Sequence, residues 1–279
     1  MIRFGFAGIP LSCKGRTYKD GLIYTKNLGL NAIEVELIKG ESTVSEEEAE
    51  TLKKLSEAFD IEMHVHAPYY TNLAGDEFNV QLSREKVITA GKLAALMGAK
   101  TVVIHPAMYN DLSKEEVMTR VVRQTRDLRN LFKKRGNQTK IGIETTGKQS
   151  LFGSIEEVVE VCKRVNDTVP VLDFGHMHAR SNGKLNAKET IRCIFDKTAD
   201  LSIPLYLIHL SGTFYENGNE YYHTPLKRSD LEIEAILELL LENELNATLI
   251  SESPLLEHDA IWVQVIFDQL LKKGNQKYF

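Results

Sequence analysis

A chain of 279 residues, 43% hydrophobic and 26% charged, has the make-up of a soluble globular protein and the length of one large domain or two small ones. It contains no apolar run of about 18 residues, which excludes a membrane span, and Met1-Ile2-Arg3-Phe4-Gly5 lacks the layout of a signal peptide, so a cytoplasmic protein is expected. A formal net charge of −5 gives no global pull toward nucleic acid, so any such binding needs a local basic surface.

The first apolar run, Ile2 to Ala7, reads as a strand, and a helix-like segment reaches about Leu28. Residues 32–37 alternate with period two, as a strand does. Ser45 followed by Glu46, Glu47 and Glu48 opens a helix: Ser45 caps it, Glu48 completes a capping box, and the acids suit its N-terminal dipole. A third strand over 61–66 precedes a long loop and a helix over Arg84 to Met97, which Gly98 stops. Strands follow over 101–105, 140–144, 169–173, 205–209 and 248–252. Between them lie a helix capped by Ser113, one capped by Ser154, and helices over 186–200 and 230–244; a last helix runs from about His258 to Lys273.

Eight strands alternating with helices, in units of roughly thirty to forty residues, describe an α/β protein, a single (β/α)₈ TIM barrel over 1–279. No linker or compositional break marks a second domain. An open doubly wound sheet would want a Gly-rich phosphate turn, and no GxGxxG occurs. Cys13, Cys162 and Cys193 are odd in number and in no CxxC spacing, so they carry no predicted chemistry.

In such a barrel the active site gathers at the C-terminal ends of the strands. Those ends carry His66, His105, Glu144, Asp173, His209 and Glu252, with His176 and His223 just beyond in loops. Any one of them alone reads as a hydrogen-bonded structural residue. Together they would force carboxylates and imidazoles into one concave space, which bound cations stabilise most directly. Their number exceeds what one tetrahedral zinc uses, so more than one metal is expected. His64, deeper on its strand, is expected to hold a hydrogen bond, while His178 and His258 stay outside the metal set.

The segment His66-Ala67-Pro68-Tyr69-Tyr70-Thr71-Asn72-Leu73-Ala74 resembles the His-Ala-Pro-Tyr…Asn-Leu-Ala signature of endonuclease IV, the zinc-dependent abasic-site endonucleases. Ile104-His105-Pro106, Ile143-Glu144-Thr145-Thr146-Gly147, Asp173-Phe174-Gly175-His176, His209-Leu210-Ser211 and Glu252-Ser253-Pro254 follow in the family's order. The resemblance implies a first zinc on His66, His105 and Glu144, a second on Glu144, Asp173, His209 and Glu252, and a third involving His176 and His223, with manganese as a possible substitute. It implies hydrolysis of duplex DNA on the 5′ side of an abasic site in base excision repair, with Glu144 and Glu252 at the reacting centre and no obligate protein partner. Tyr69 would press into the duplex.

Two features depart from the family. Tyr221 stands where it has an Asp, two residues before His223, with Glu220 one position away, and residues 8–13 lack its His-Val-Ser pattern. Lys14, Arg16, Lys148, Arg180, Lys184, Lys227 and Arg228 fall in loops that would face the metals and form a phosphate track, whereas Arg120, Arg123, Arg126 and Arg129 read as a solvated helix face. The rival function is a sugar isomerase or epimerase on a related barrel. It would use one metal on Glu144, Asp173, His209 and Glu252, with Glu144 and Glu252 as acid and base.

Overall fold

The computed structural model describes residues 1–37 and 44–276, the last three as backbone only. Eight parallel strands close into a barrel: β1 (Ile2–Ala7), β2 (Ala32–Glu36), β3 (Glu62–His66), β4 (Thr101–Ile104), β6 (Lys140–Glu144), β8 (Thr168–Asp173), β9 (Tyr206–Leu210) and β12 (Ala247–Ser251). β1 closes the ring by pairing with β2 on one side and β12 on the other. The helices that connect them bury their apolar faces against its outer surface, which makes the main core. The single-barrel expectation holds.

The caps read from the sequence recur in space. Helix α1 (Tyr18–Asn27), expected to reach about Leu28, is capped by Thr17. Ser45 caps α2 (Glu46–Phe59), but the box expected there is not formed; only the Ser45 side chain bonds the Glu48 N–H. The helix expected from Arg84 begins earlier: α3 spans Glu77–Met97, capped by Asp76. Its first turns expose Phe78 and Leu82, so the apolar periodicity that marks its later part does not reach its start. Ser113 and Ser154 each accept from the backbone N–H three residues on, and Glu116 and Glu157 reach back to complete capping boxes at helices α4 (Lys114–Lys134) and α5 (Ile155–Arg164).

The barrel interior explains where the chemistry falls. Ala7, Ala32, Val103, Val171, Leu207 and Ile250 form a small apolar plug inside the ring. Side chains alternate across a strand, so the residue two positions on from a plug residue also faces inward, one layer nearer the mouth. That step leads from Ala32 to Glu34, Val103 to His105, Val171 to Asp173, Leu207 to His209 and Ile250 to Glu252. An apolar floor thus carries a polar layer.

One helix and two short strand pairs at the mouth escaped the sequence reading. Helix α6 (Phe174–Arg180) starts on Asp173 itself; β5 (Ala107–Met108) pairs with β7 (Leu151–Phe152); and β10 (Gly212–Glu216) forms a hairpin with β11 (Asn219–Thr224). The hairpin turns at Asn217 and Gly218, both at positive φ, the dipeptide that such a two-residue turn favours.

Candidate metal centre

The structure brings all eight predicted ligands together. His66 Nε2 and His105 Nε2 stand 3.0 and 2.7 Å from Glu144 Oε2. His209 Nδ1 lies 3.0 Å from Glu144 Oε1 and 3.0 Å from Glu252 Oε1. Asp173 spends one oxygen on the backbone N–H of His176, capping α6 at 2.6 Å, while the other, Oδ2, has no hydrogen bond and lies 3.5 Å from His176 Nδ1. That cap fixes His176, whose Nε2 is 3.4 Å from His223 Nε2.

Four of the five imidazoles share a further feature. His66 donates from Nδ1 to the Ala67 carbonyl, His176 to that of Thr145 and His223 to that of Glu252, while His209 donates from Nε2 to Glu34. Each has one nitrogen anchored outward and the other turned to the centre, the arrangement that presents an imidazole lone pair to a metal. His105 Nε2 and Glu252 Oε1, for all their close neighbours, form no aligned hydrogen bond. His66 and His209 hydrogen-bond Glu144, but those two atoms of His105 and Glu252 crowd their neighbours without an aligned bond, and a divalent cation between them fits such unbonded atoms. Four groups have ligand atoms within 4.8 Å of one another: His66, His105 and Glu144; Glu144, Asp173, His176 and Glu252; His176, His223 and Glu252; and Glu34, His209 and Glu252.

Glu220, set aside on sequence spacing, joins the centre. The β10–β11 pairing slips between Phe214 and Tyr215, so that Phe214 faces Tyr222 but Tyr215 faces Glu220. Tyr221 is the extra residue of this bulge and swings out to 60% exposure, while Glu220 turns in beside His223. Glu220 Oε2 lies 3.2 Å from His176 Nε2, and Oε1 3.2 Å from His223 Nε2. Bonds of about 2.0–2.1 Å in a tetrahedral zinc site put its ligand atoms roughly 3.3–3.4 Å apart, close to each of these pairwise spacings, which Glu220 makes through its two different oxygens. Gly147 makes room: a Cβ there would sit 2.1 Å from Glu220 Oε2.

Electrostatics reflects the crowding. Burial pulls the His66 imidazole down, but the Glu144 carboxylate beside it prevails and holds it at about 10. His223 is likewise held at about 10, against burial, by Glu220 and the acids behind it. Burial raises Glu220 and Glu252, yet neighbouring imidazoles bring both to about 2. Asp173 is the exception; burial and the nearby carboxylates push it up to about 7.

Other sequence expectations are redirected. The Tyr69 ring packs 4.6 Å from that of His66, and its hydroxyl donates to Glu36 Oε1 at 2.9 Å, which holds it in the wall of the site. Its neighbour Tyr70 is 79% exposed at the rim. Arg180 donates to the carbonyls of Thr146, Lys148 and Leu151, so this cation is engaged in bracing the loop after β6. Arg16, Lys14, Lys148, Lys184, Lys227 and Arg228 are exposed. The outer arginine row is not simply solvated: Arg120, Arg126 and Arg129 each donate to backbone carbonyls, and Arg129 is buried. His64 bonds Glu62, and His178 bonds Asp230, both away from the ligand cluster; His258 is largely exposed.

A groove of about 510 Å³ opens onto the centre between Tyr69, Tyr70, His105, His176, Glu220 and His223. A cavity of the same volume at the opposite end, around Lys100, Thr101 and Lys140, has neither His nor carboxylate in its lining. The chemistry belongs to the first.

The model of the xylose isomerase-like TIM barrel family matches residues 22–264. The chain belongs to that family. An uncharacterized protein of Methanocaldococcus jannaschii is 33% identical over 275 residues, 97% of this chain and 98% of that one. The fold is shared with a D-tagatose 3-epimerase-like protein (TM-score 0.74, 21% identity, 98% of this chain and 100% of that one). It is shared equally with endonuclease IV from Thermus thermophilus (TM-score 0.70, 19% identity, 96% and 99%). At these identities the likeness speaks for the fold alone. Among the described residues, no helix is long and apolar enough to cross a membrane.

Proposed function

We propose that this protein is a metal-dependent phosphodiesterase that cuts duplex DNA on the 5′ side of abasic sites, leaving a 3′-hydroxyl. One observation carries the reading: His66 and His105 both close on Glu144 Oε2, the outer edge of a carboxylate whose other oxygen faces His209. A one-metal isomerase site on Glu144, Asp173, His209 and Glu252 has no use for these two imidazoles, nor for Glu220 and His223 on the far side. Phosphodiester hydrolysis uses them, because attacking and leaving oxygens both need a counter-charge.

Bound divalent cations, zinc or manganese, would supply an activated water and that counter-charge. The protein's own part is placement. Glu144 would bridge two of the positions; Asp173, His209 and Glu252 would hold one, and His66 and His105 the next. His176, Glu220 and His223 would hold a third. Tyr70, exposed at the rim, would enter a duplex and occupy the space of an extruded nucleotide, and the exposed Arg16 and Lys148 would meet phosphates. Abasic DNA is the lesion least costly to distort, since it has no base to unstack.

The test is cleavage by the metal-loaded protein of a duplex with a single abasic analogue. A nick 5′ to the analogue with a 3′-hydroxyl end supports the reading; an intact duplex, together with interconversion of keto sugars, replaces it with the isomerase.

A further inference from the structure

Glu34 is a carboxylate of the barrel interior that the proposed nuclease ligands do not include, although a ligand atom of it lies within 4.8 Å of His209 and Glu252. It sits on β2 with 0% exposure, its Oε2 is 3.1 Å from His209 Nε2, and its Oε1 is buried with no partner. A carboxylate buried so deep is costly unless what it bonds compensates it. Among the described residues, the one hydrogen-bonding partner of its side chain is an imidazole.

That imidazole is also the odd one of the set. His66, His176 and His223 anchor Nδ1 on a neighbouring backbone carbonyl, so Nε2 faces the centre. His209 is reversed: Nε2 points back into the barrel and Nδ1 faces Glu144 and Glu252, each at 3.0 Å. Nδ1 lies next to the Cβ, so a ring coordinating through it must stand close to its own backbone with Nε2 aimed at the strand beyond. No backbone carbonyl bonds that nitrogen. Glu34 reaches it across the barrel, 175 residues away in sequence.

We infer that Glu34 is the positioning residue for His209: by accepting the Nε2–H hydrogen bond it fixes the tautomer and ring orientation in which Nδ1 is offered to the cation shared by Glu144, Asp173 and Glu252. The inference rests on the metal-bound reading of the centre but not on its substrate, and it would hold for a nuclease or an isomerase. Carboxylate partners of this kind raise the basicity of the imidazole, and losing them weakens metal binding about 10–100-fold.

Two measurements test it with metal alone. First, histidine-¹⁵N-labelled wild type loaded with ¹¹³Cd should show one imidazole coupled to cadmium through Nδ1, the rest through Nε2. Second, zinc titrations against a chromophoric chelator should show one metal per chain bound at least tenfold more weakly by Glu34→Leu, whereas Glu34→Gln, whose amide oxygen still accepts, stays within about threefold of wild type. Melting of the metal-free forms separates this from a general packing defect, which would lower both variants' melting temperature without a change of coordinating nitrogen. Nε2-only coordination in wild type overturns the inference even if Glu34→Leu fails to fold. So does equal affinity of Glu34→Leu and wild type, or equal weakening by Leu and Gln. Wild type that binds no metal at all removes the multi-metal reading as well; metal uptake without DNA cleavage removes only the nuclease.

Discussion

Glu220 and His223, three residues apart on one strand, point into the same space with Oε1 and Nε2 3.2 Å apart. On a regular strand they would face opposite sides, because side chains alternate with period two. The bulge at Tyr221 inserts the one residue that brings them together.

This predicts an asymmetry between neighbours. Glu220→Ala should lose one metal per chain, counted by mass spectrometry of the desalted protein, and lower cleavage at least tenfold. Tyr221→Ala should lose none. The reverse pattern would mean that the hairpin pairs without the bulge in solution.

Most of the architecture was legible in the sequence, because alternating period-two runs and capped amphipathic helices are local signals. Six of the eight residues gathered at the mouth were legible too, since a residue at a strand end must face it; His176 and His223 were legible as loop residues just beyond those ends. Glu220 was not, because a one-residue shift in a loop gives no reason to change face. The signal that could have found it is Asn217-Gly218 between two β-rich runs, which announces a hairpin; a hairpin carrying both Glu220 and His223 then needs a bulge. Glu34 was hidden for another reason. In sequence it is one acid in the alternating run from Ala32 to Leu37, and its partner lies in a different strand across the ring.

Tyr69 and Tyr70 separate support from insertion. Tyr70→Ala should weaken binding to an abasic duplex by about 1–3 kcal/mol, the range for a stacked aromatic, without loss of metal. Tyr69→Phe frees Glu36 and should affect metal retention more than DNA affinity. Fluorescence anisotropy with a labelled abasic duplex reads the first effect, and metal analysis the second; equal effects of both variants on DNA affinity would contradict the division.

Arg180 braces a loop through three carbonyls, so Arg180→Ala should lower stability by about 1–3 kcal/mol, the range for losing charge-assisted hydrogen bonds to part-buried and exposed acceptors. The salt dependence of DNA binding should stay as in wild type, since no phosphate contact is lost. Denaturant melts and binding titrations at several salt concentrations check both; a shallower salt slope would make Arg180 a phosphate contact after all.

Without metal, the centre's own charges govern stability. Glu220 and Glu252 are lowered from 4.5 to about 2, so what they contribute is present above pH 4.5 and lost as pH falls toward 2. His66 and His223 are raised from 6.5 to about 10, so their contribution is full below pH 6.5 and lost as pH rises through 10. Asp173, raised from 3.8 to about 7, adds a further decline between those values. The chelator-treated protein should therefore melt highest in mildly acidic buffer, near pH 4.5–6, and lose stability steadily toward pH 10, while zinc, which replaces the imidazole protons, should flatten that alkaline fall. A metal-free melting temperature that is level from pH 6 to 10 would contradict this.

The central claim is that several divalent cations hold these imidazoles and acids at one mouth, and metal counting tests it most directly. Purified wild type dialysed against zinc should retain at least two metals per chain. His66→Ala combined with His105→Ala should lose one of them and keep the one shared by Glu144, Asp173, His209 and Glu252. One metal or none in wild type, or a count unmoved by the double substitution, would contradict the account.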